Sequence, residues 1–240
     1  MFTKLHSGAV SYKNGDNFLL FESYDKFLAE MKKIEKETKN LFNPSKTKDK
    51  TTTAILKALC NAASKDAAKT ILTGVYYDHD KKKVAATDGY RLAVLETDME
   101  CESGIYPAKP FKKTGSLSGN IEGKYPDYER IIPKTFDEKV KVKINSGQVI
   151  KCLKSWLKQT QIEGDRSLIV SFRDGQLWGN HLKSPICDFP LDIEHQFNGA
   201  YFADMLEFMG NDFEVGLNSI VQAVLFTKDK QQYMLMPIKP

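Results

Sequence analysis

The chain has 240 residues, 41% of them hydrophobic, which is enough for a buried core and, at ordinary domain sizes, for roughly two domains. Thirty-five basic residues stand against 31 acidic ones, for a net charge of +4. Almost all of the basic residues are lysine; only four are arginine, which favours phosphate neutralisation over base reading. Cys60, Cys101, Cys152 and Cys187 are too dispersed for a zinc cluster or a compact disulfide framework, so the expected setting is a reducing cytoplasm. No window approaches 18 uninterrupted apolar residues, and "MFTKLHSGAV" lacks a long apolar core, so neither a membrane span nor a signal peptide is expected.

In chain order, "AVSYKNGDNFLLFES" has the pattern of a hairpin. Residues 25–40 place Phe27, Met31 and Ile34 on one helical face and Lys32, Lys33 and Lys36 on the other. "NPSKTKDKTTT", residues 43–53, is a polar loop or linker opened by Asn-Pro. A helix, "AILKALCNAA", follows. Residues 70–98 then alternate apolar and polar positions around Asp78-His79-Asp80, which predicts strand, turn, strand and a further strand. The order recurs in the second half. "GQVIKCLKSWLKQT" is helical, "SLIVSFRDGQLWGNHL" is a hairpin turning at Asp174-Gly175, and "ICDFPLDI" is another strand. Matching helix starts and matching turns both give an offset of 95 residues, the mark of duplicated α+β domains rather than a short-period solenoid. The halves meet near residues 120–130.

The helix over 148–160 gathers Lys151, Lys154 and Lys158 into a narrow arc opposite Ile150, Leu153 and Leu157. That arc fits a phosphate-facing surface and equally a solvated exterior; Lys57, Lys32, Lys33 and Lys36 are its possible companions. "DHD" at 78–80 has the residue types of a metal site or an acid/base pair, but it sits at a hairpin tip, where Asp and His are common turn residues. No Walker A, Gly-x-Gly-x-x-Gly, nucleophile-elbow or His-Glu-x-x-His pattern occurs.

Three separated stretches, "ATDGYRLA" at 86–93, "KYPDYERIIPK" at 124–134 and "YMLMPIKP" at 233–240, together resemble the bacterial DNA polymerase III beta subunit (sliding clamp) family. "FNGAYFADML" from Phe197 is similar to the helix entry of that family's last domain. The resemblance covers roughly 53–98 and 123–240, the family's second and third domains, in a shortened two-domain form. Between Thr97 and Gly123 too little sequence remains for the second helix and its strands, and the N-terminal segment is a candidate to supply that half-domain.

The resemblance implies two similar clamp-like domains, 1–127 and 128–240, with antiparallel sheets outside and helices lining a ring. It implies a processivity factor, without catalysis or cofactor, that encircles duplex DNA independently of sequence. The implied partners are a DNA polymerase and clamp-loader peptides. Six domains at two per chain give a homotrimer, closed head to tail.

Carried over by position, the family's peptide pocket would include Thr87, Gly89, Tyr90, Arg91, Leu92, Pro126, Arg130, Ile131, Met234, Leu235, Met236, Pro237 and Ile238, with Asn198, Tyr201 and Val221 as further transfers. Methionines repack around varied partners, and Gly89 would let a backbone approach closely. Tyr90 departs from the family's histidine, and Lys239-Pro240 from its arginine-leucine ending. Four alternatives stand beside this reading. "YMLMPI" has the pattern of a buried last strand. Arg91 and Arg130 are placed for structural ion pairs with Asp88 or Asp127. A monomeric clamp-like adaptor, or a metal-dependent nucleic-acid enzyme built on "DHD", would account for parts of the pattern.

Overall fold

In the computed structural model the described residues are 2–4, 10–14, 17–21, 29, 50–99, 101–114, 117, 119–162, 168–180, 182 and 184–238. Contacts divide the chain into Met1–Pro44 and Ser45–Pro240. The first unit carries an antiparallel sheet of β1 (Phe2–Lys4), β2 (Val10–Asn14) and β3 (Asn17–Phe21), with β2 in the middle. The helix predicted over 25–40, with Lys32, Lys33 and Lys36, lies outside the described residues.

The second unit begins with α1 (Lys50–Leu59), so the last residues of the expected linker are already helical. A 3₁₀ turn over Cys60–Ala62 ends α1. A longer 3₁₀ segment, Ala67–Thr73, is capped by Asp66, whose Oδ1 accepts from Ala68 N; the sequence pattern placed the start of a strand here. Then come β4 (Gly74–Asp78), β5 (Lys83–Thr87), β6 (Arg91–Glu96), β7 (Gly104–Pro107) and α2 (Ala108–Thr114). The region expected to be too short for a second helix therefore holds one of two turns, while no strand occurs among the described residues between it and β8 (Glu138–Lys143).

The rest is α3 (Ser146–Ile162), β9 (Ile169–Arg173), β10 (Gln176–Gly179), β11 (Cys187–Asp188), β12 (Phe197–Asn198), α4 (Gly199–Met209), β13 (Asp212–Leu217), β14 (Val224–Lys228) and β15 (Gln231–Leu235). β4 starts at Gly74 and β9 at Ile169, the 95-residue offset read from the sequence. "ICDFPLDI" forms only the two-residue β11, because Pro190 cannot donate to a ladder.

Topology makes the duplication visible. One antiparallel sheet has the order β11-β10-β9-β12, and a larger one has the order β7-β4-β5-β6-β15-β14-β13-β8. The strands after residue 137 form two successive sets, β8–β11 and β12–β15, each with a helix after its first strand; β12 pairs with β9 and β8 with β13, a reciprocal exchange. The eight-stranded sheet passes through the expected domain junction: β6 pairs with β15, Met234 opposite Leu92 and Leu235 opposite Arg91. On one face the helices pack as a row, α2 on α1, α1 on α4 and α4 on α3.

The main core lies between helices and sheets, with Leu59, Leu153, Trp156, Phe202 and Leu206 against Tyr77, Phe172, Phe226 and Tyr233. Gly179 is required here, since a Cβ on it would meet the Trp156 ring at 2.4 Å. A second cluster, including Leu92, Val94, Tyr125, Tyr128, Leu225 and Met234, covers the opposite face of the large sheet. Residues 121–136 supply its lid, with Tyr125 stacked on Tyr76 at 5.2 Å between ring centroids. Buried on both faces, β6 is apolar from Leu92 to Leu95 instead of alternating.

Candidate binding site at the sheet junction

The β5–β6 turn is built by its own side chains. Thr87 Oγ1 donates to Arg91 O at 2.6 Å and accepts from Gly89 N at 3.1 Å. Asp88 Oδ1 accepts from Tyr90 N at 2.9 Å and Arg91 N at 3.2 Å. Gly89 has φ +98°, a left-handed conformation that favours glycine, and a Cβ there would meet nothing within 4 Å. The turn geometry therefore requires this glycine, and the space beside it is open. The turn leaves Tyr90 59% exposed, and its carbonyl accepts from Met236 N at 3.0 Å. Through this bond the first and third stretches of the motif meet.

Arg91 occupies a different place from the one expected. It is 3% exposed, beneath the rim instead of on it. Nε donates to Asp88 Oδ2 at 2.9 Å, Nη1 to Asp204 Oδ2 at 2.6 Å and Nη2 to Asn61 O at 2.5 Å. Its guanidinium carbon stands 4.0 Å from the centroid of the Tyr201 ring. Burial raises the Asp204 carboxyl above its ordinary range, with Arg91 opposing the shift. The structural ion pair with Asp88 is thus formed, whereas Arg130 is exposed on the 3₁₀ turn Tyr128–Ile131.

Leu92, Met234, Leu235, Thr87 and Pro237 are buried, as the core-strand alternative anticipated; Leu92 and Met234 form the floor of the outer cluster. Four of the transferred residues are exposed apolar side chains: Tyr90, Ile131 at 56%, Val221 at 48% and Met236 at 39%. Ile132 and Ala223, next to Ile131 and close to Val221, pack against the floor cluster itself. Pro126 is exposed beside buried Tyr125. Ile238 is half-buried and its N–H donates to Gln196 O at 2.8 Å, which holds the chain end beside β12. Asn198 caps α4, its Oδ1 accepting from Ala200 N at 3.0 Å and Tyr201 N at 3.1 Å, and Tyr201 reaches the site through Arg91.

Sequence reasoning missed the 3₁₀ segment Ala67–Thr73. Ile71 and Leu72 pack against the floor cluster, and Lys69 Nζ stands 5.7 Å from the Tyr90 ring centroid. The apolar pair inside a polar stretch was the available signal, absorbed there into the following strand.

On the helix face, Lys151, Lys154 and Lys158 are all exposed along α3, with Leu153 buried opposite. Lys154 bonds to Glu207 of α4, and Lys57 is half-buried. The "DHD" stretch works as a turn. Asp78 Oδ1 accepts from Lys81 N at 3.1 Å, and His79 Nδ1 contacts Cys101 O at 3.1 Å. No group of three or more potential metal ligands occurs among the described residues. No described helix is long and apolar enough to cross a membrane.

No protein-family model matches the chain. The beta sliding clamp of Synechocystis sp. (strain PCC 6803) is 25% identical over 257 aligned positions, covering 77% of this chain and 62% of that protein. That of Borreliella burgdorferi is 27% identical over 164 positions, covering 54% and 41%. Among solved structures, the DNA polymerase III beta chain of Streptococcus pneumoniae matches all of this chain and 75% of its own, with a TM-score of 0.61 and 17% identity. The beta subunit of Streptococcus pyogenes gives 0.62 at 15% identity over 76% of its length. The chain spans less than two thirds of the length of the curated relatives it matches. It therefore has the α+β fold of the bacterial DNA polymerase III beta subunits, and its sequence is similar to part of the beta sliding clamps.

Proposed function

We propose that this chain is a DNA sliding clamp, a processivity factor that tethers a polymerase to duplex DNA through a peptide pocket at the β6–β15 junction. One observation carries the reading. Of the five exposed large hydrophobic residues among those described, four, Tyr90, Ile131, Val221 and Met236, belong to the set that the family resemblance assigns to the pocket. Exposed apolar side chains whose neighbours pack in one apolar cluster fit a partner's short apolar anchors, which supports a shared docking patch. The sheets support a ring. β15 finds its partner in β6, whereas β11, the last strand of the preceding set, is one of the two ends of its sheet among the described residues. A strand of a second copy is the natural partner for that edge, and head-to-tail pairing of two-domain chains, divided as 1–127 and 128–240, closes with three.

The test is titration calorimetry with a short polymerase-derived peptide carrying a glutamine and apolar anchors. Binding to the parent chain and a loss of about thirtyfold in Met236→Ala support the pocket, since truncating a buried anchor commonly costs about 2 kcal/mol. Equal affinity for both proteins would make the exposed apolar set incidental.

A further inference from the structure

The pocket proposed above has a support that no motif marks. Tyr90 and Met236 are joined by one main-chain hydrogen bond, and the turn presenting Tyr90 is closed by Asp88, which also holds Arg91. Arg91 in turn meets the main-chain oxygen of Asn61, in the short 3₁₀ turn that ends α1. The Asn61 side chain is used at both ends. Its Nδ2 donates to Glu207 Oε2 of α4 at 3.0 Å, and its Oδ1 accepts from Lys112 Nζ of α2. A carboxamide can answer an anion and a cation at once; a carboxylate would repel Glu207, and a methyl group would answer neither.

We infer that Asn61 is a positioning residue for the pocket, which rests on the reading above. Its side chain, held between α2 and α4, fixes the turn from which its carbonyl receives Arg91, and Arg91 sets the Asp88–Tyr90 turn against Met236. The hydrogen bond to Arg91 is the route by which Asn61 acts on the pocket.

Amide hydrogen exchange of the full chain without peptide tests this directly. In Asn61→Ala the Met236 amide should exchange about fivefold faster, the scale of one ordinary hydrogen bond, while Val215 and Phe226 in the β13–β14 ladder keep their rates. Asn61→Asp should behave likewise, and Glu207→Gln, which keeps an acceptor for Asn61, should retain the parent rate at Met236. Unchanged Met236 exchange in Asn61→Ala overturns the inference, as does equal acceleration across β13 and β14, which would mark a general loss of stability. Peptide titration on the same proteins separates the two readings. If the parent chain binds no peptide the pocket fails, while the exchange rates still decide the role of Asn61.

Discussion

Thr87 and Asp88 spend their side chains on the main chain of their own turn, and that explains why an acid and a glycine precede an aromatic residue in "ATDGYRLA". Arg91 then anchors the turn from below. A second buried polar residue, His195, sits beside Phe197 with its ring stacked at 6.3 Å. Burial lowers its pKa from 6.5, with Ser219 and Glu194 opposing, so the folded chain holds a neutral ring where the unfolded chain takes up a proton. The sign follows from linkage. His195 adds no pH-dependent cost above about pH 6.5 and destabilises the fold progressively below it, until the folded ring is itself protonated. Urea unfolding at pH 7.5 and 5.5 should show that loss, and His195→Phe should reduce the difference. An unaltered difference in the variant would assign the pH dependence to other groups.

At the scale of elements, two helices meet the same sheets with different surfaces. α3 presents lysines, whereas the less buried positions of α4 include Asp204 and Glu207, which are paired with Arg91 and Lys154. α3 therefore carries exposed positive charge, and Lys154 is partly neutralised before any phosphate arrives. Replacing Lys151, Lys154 and Lys158 by alanine should lower the slope of log K against log salt for duplex DNA by about two, without changing sequence preference. An unchanged slope would make the arc a solvated exterior. The α3–β10 contact is tighter. Gly179→Ala drives a methyl group into Trp156 and should cost about 1–3 kcal/mol in equilibrium unfolding, a value near zero showing that the indole can move aside.

For the molecule as a whole, assembly is the proposal with the widest consequence, because enclosure retains DNA without strong contacts and a tethered polymerase meets its template at high effective concentration. Light scattering across a concentration series should give three times the 27.2 kDa chain mass. A stable monomer at high micromolar concentration would leave only an adaptor that uses the pocket. Met236→Ala should leave the mass unchanged, since the pocket and the β11 edge lie on different sheets.

Local chemistry made much of this legible in advance. Hairpins, helices and the 95-residue repeat follow from short-range periodicity and turn residues, and Asp174-Gly175 falls where a left-handed turn is needed. The motifs were legible because their residues meet: Tyr90 and Met236 share a hydrogen bond across 146 residues of chain. What the tertiary structure decided is direction and company. Periodicity cannot tell which face of a strand buried on both sides carries a function, so Leu92 and Met234 became floor and Met236 rim only when residues 121–136 crossed the sheet. Nor can it assign a partner to a charge. Arg91 reads as a pocket residue until Asp204, 113 residues away, and the Asn61 carbonyl draw it inside, because an ion pair depends on distance in space and leaves no period in the sequence.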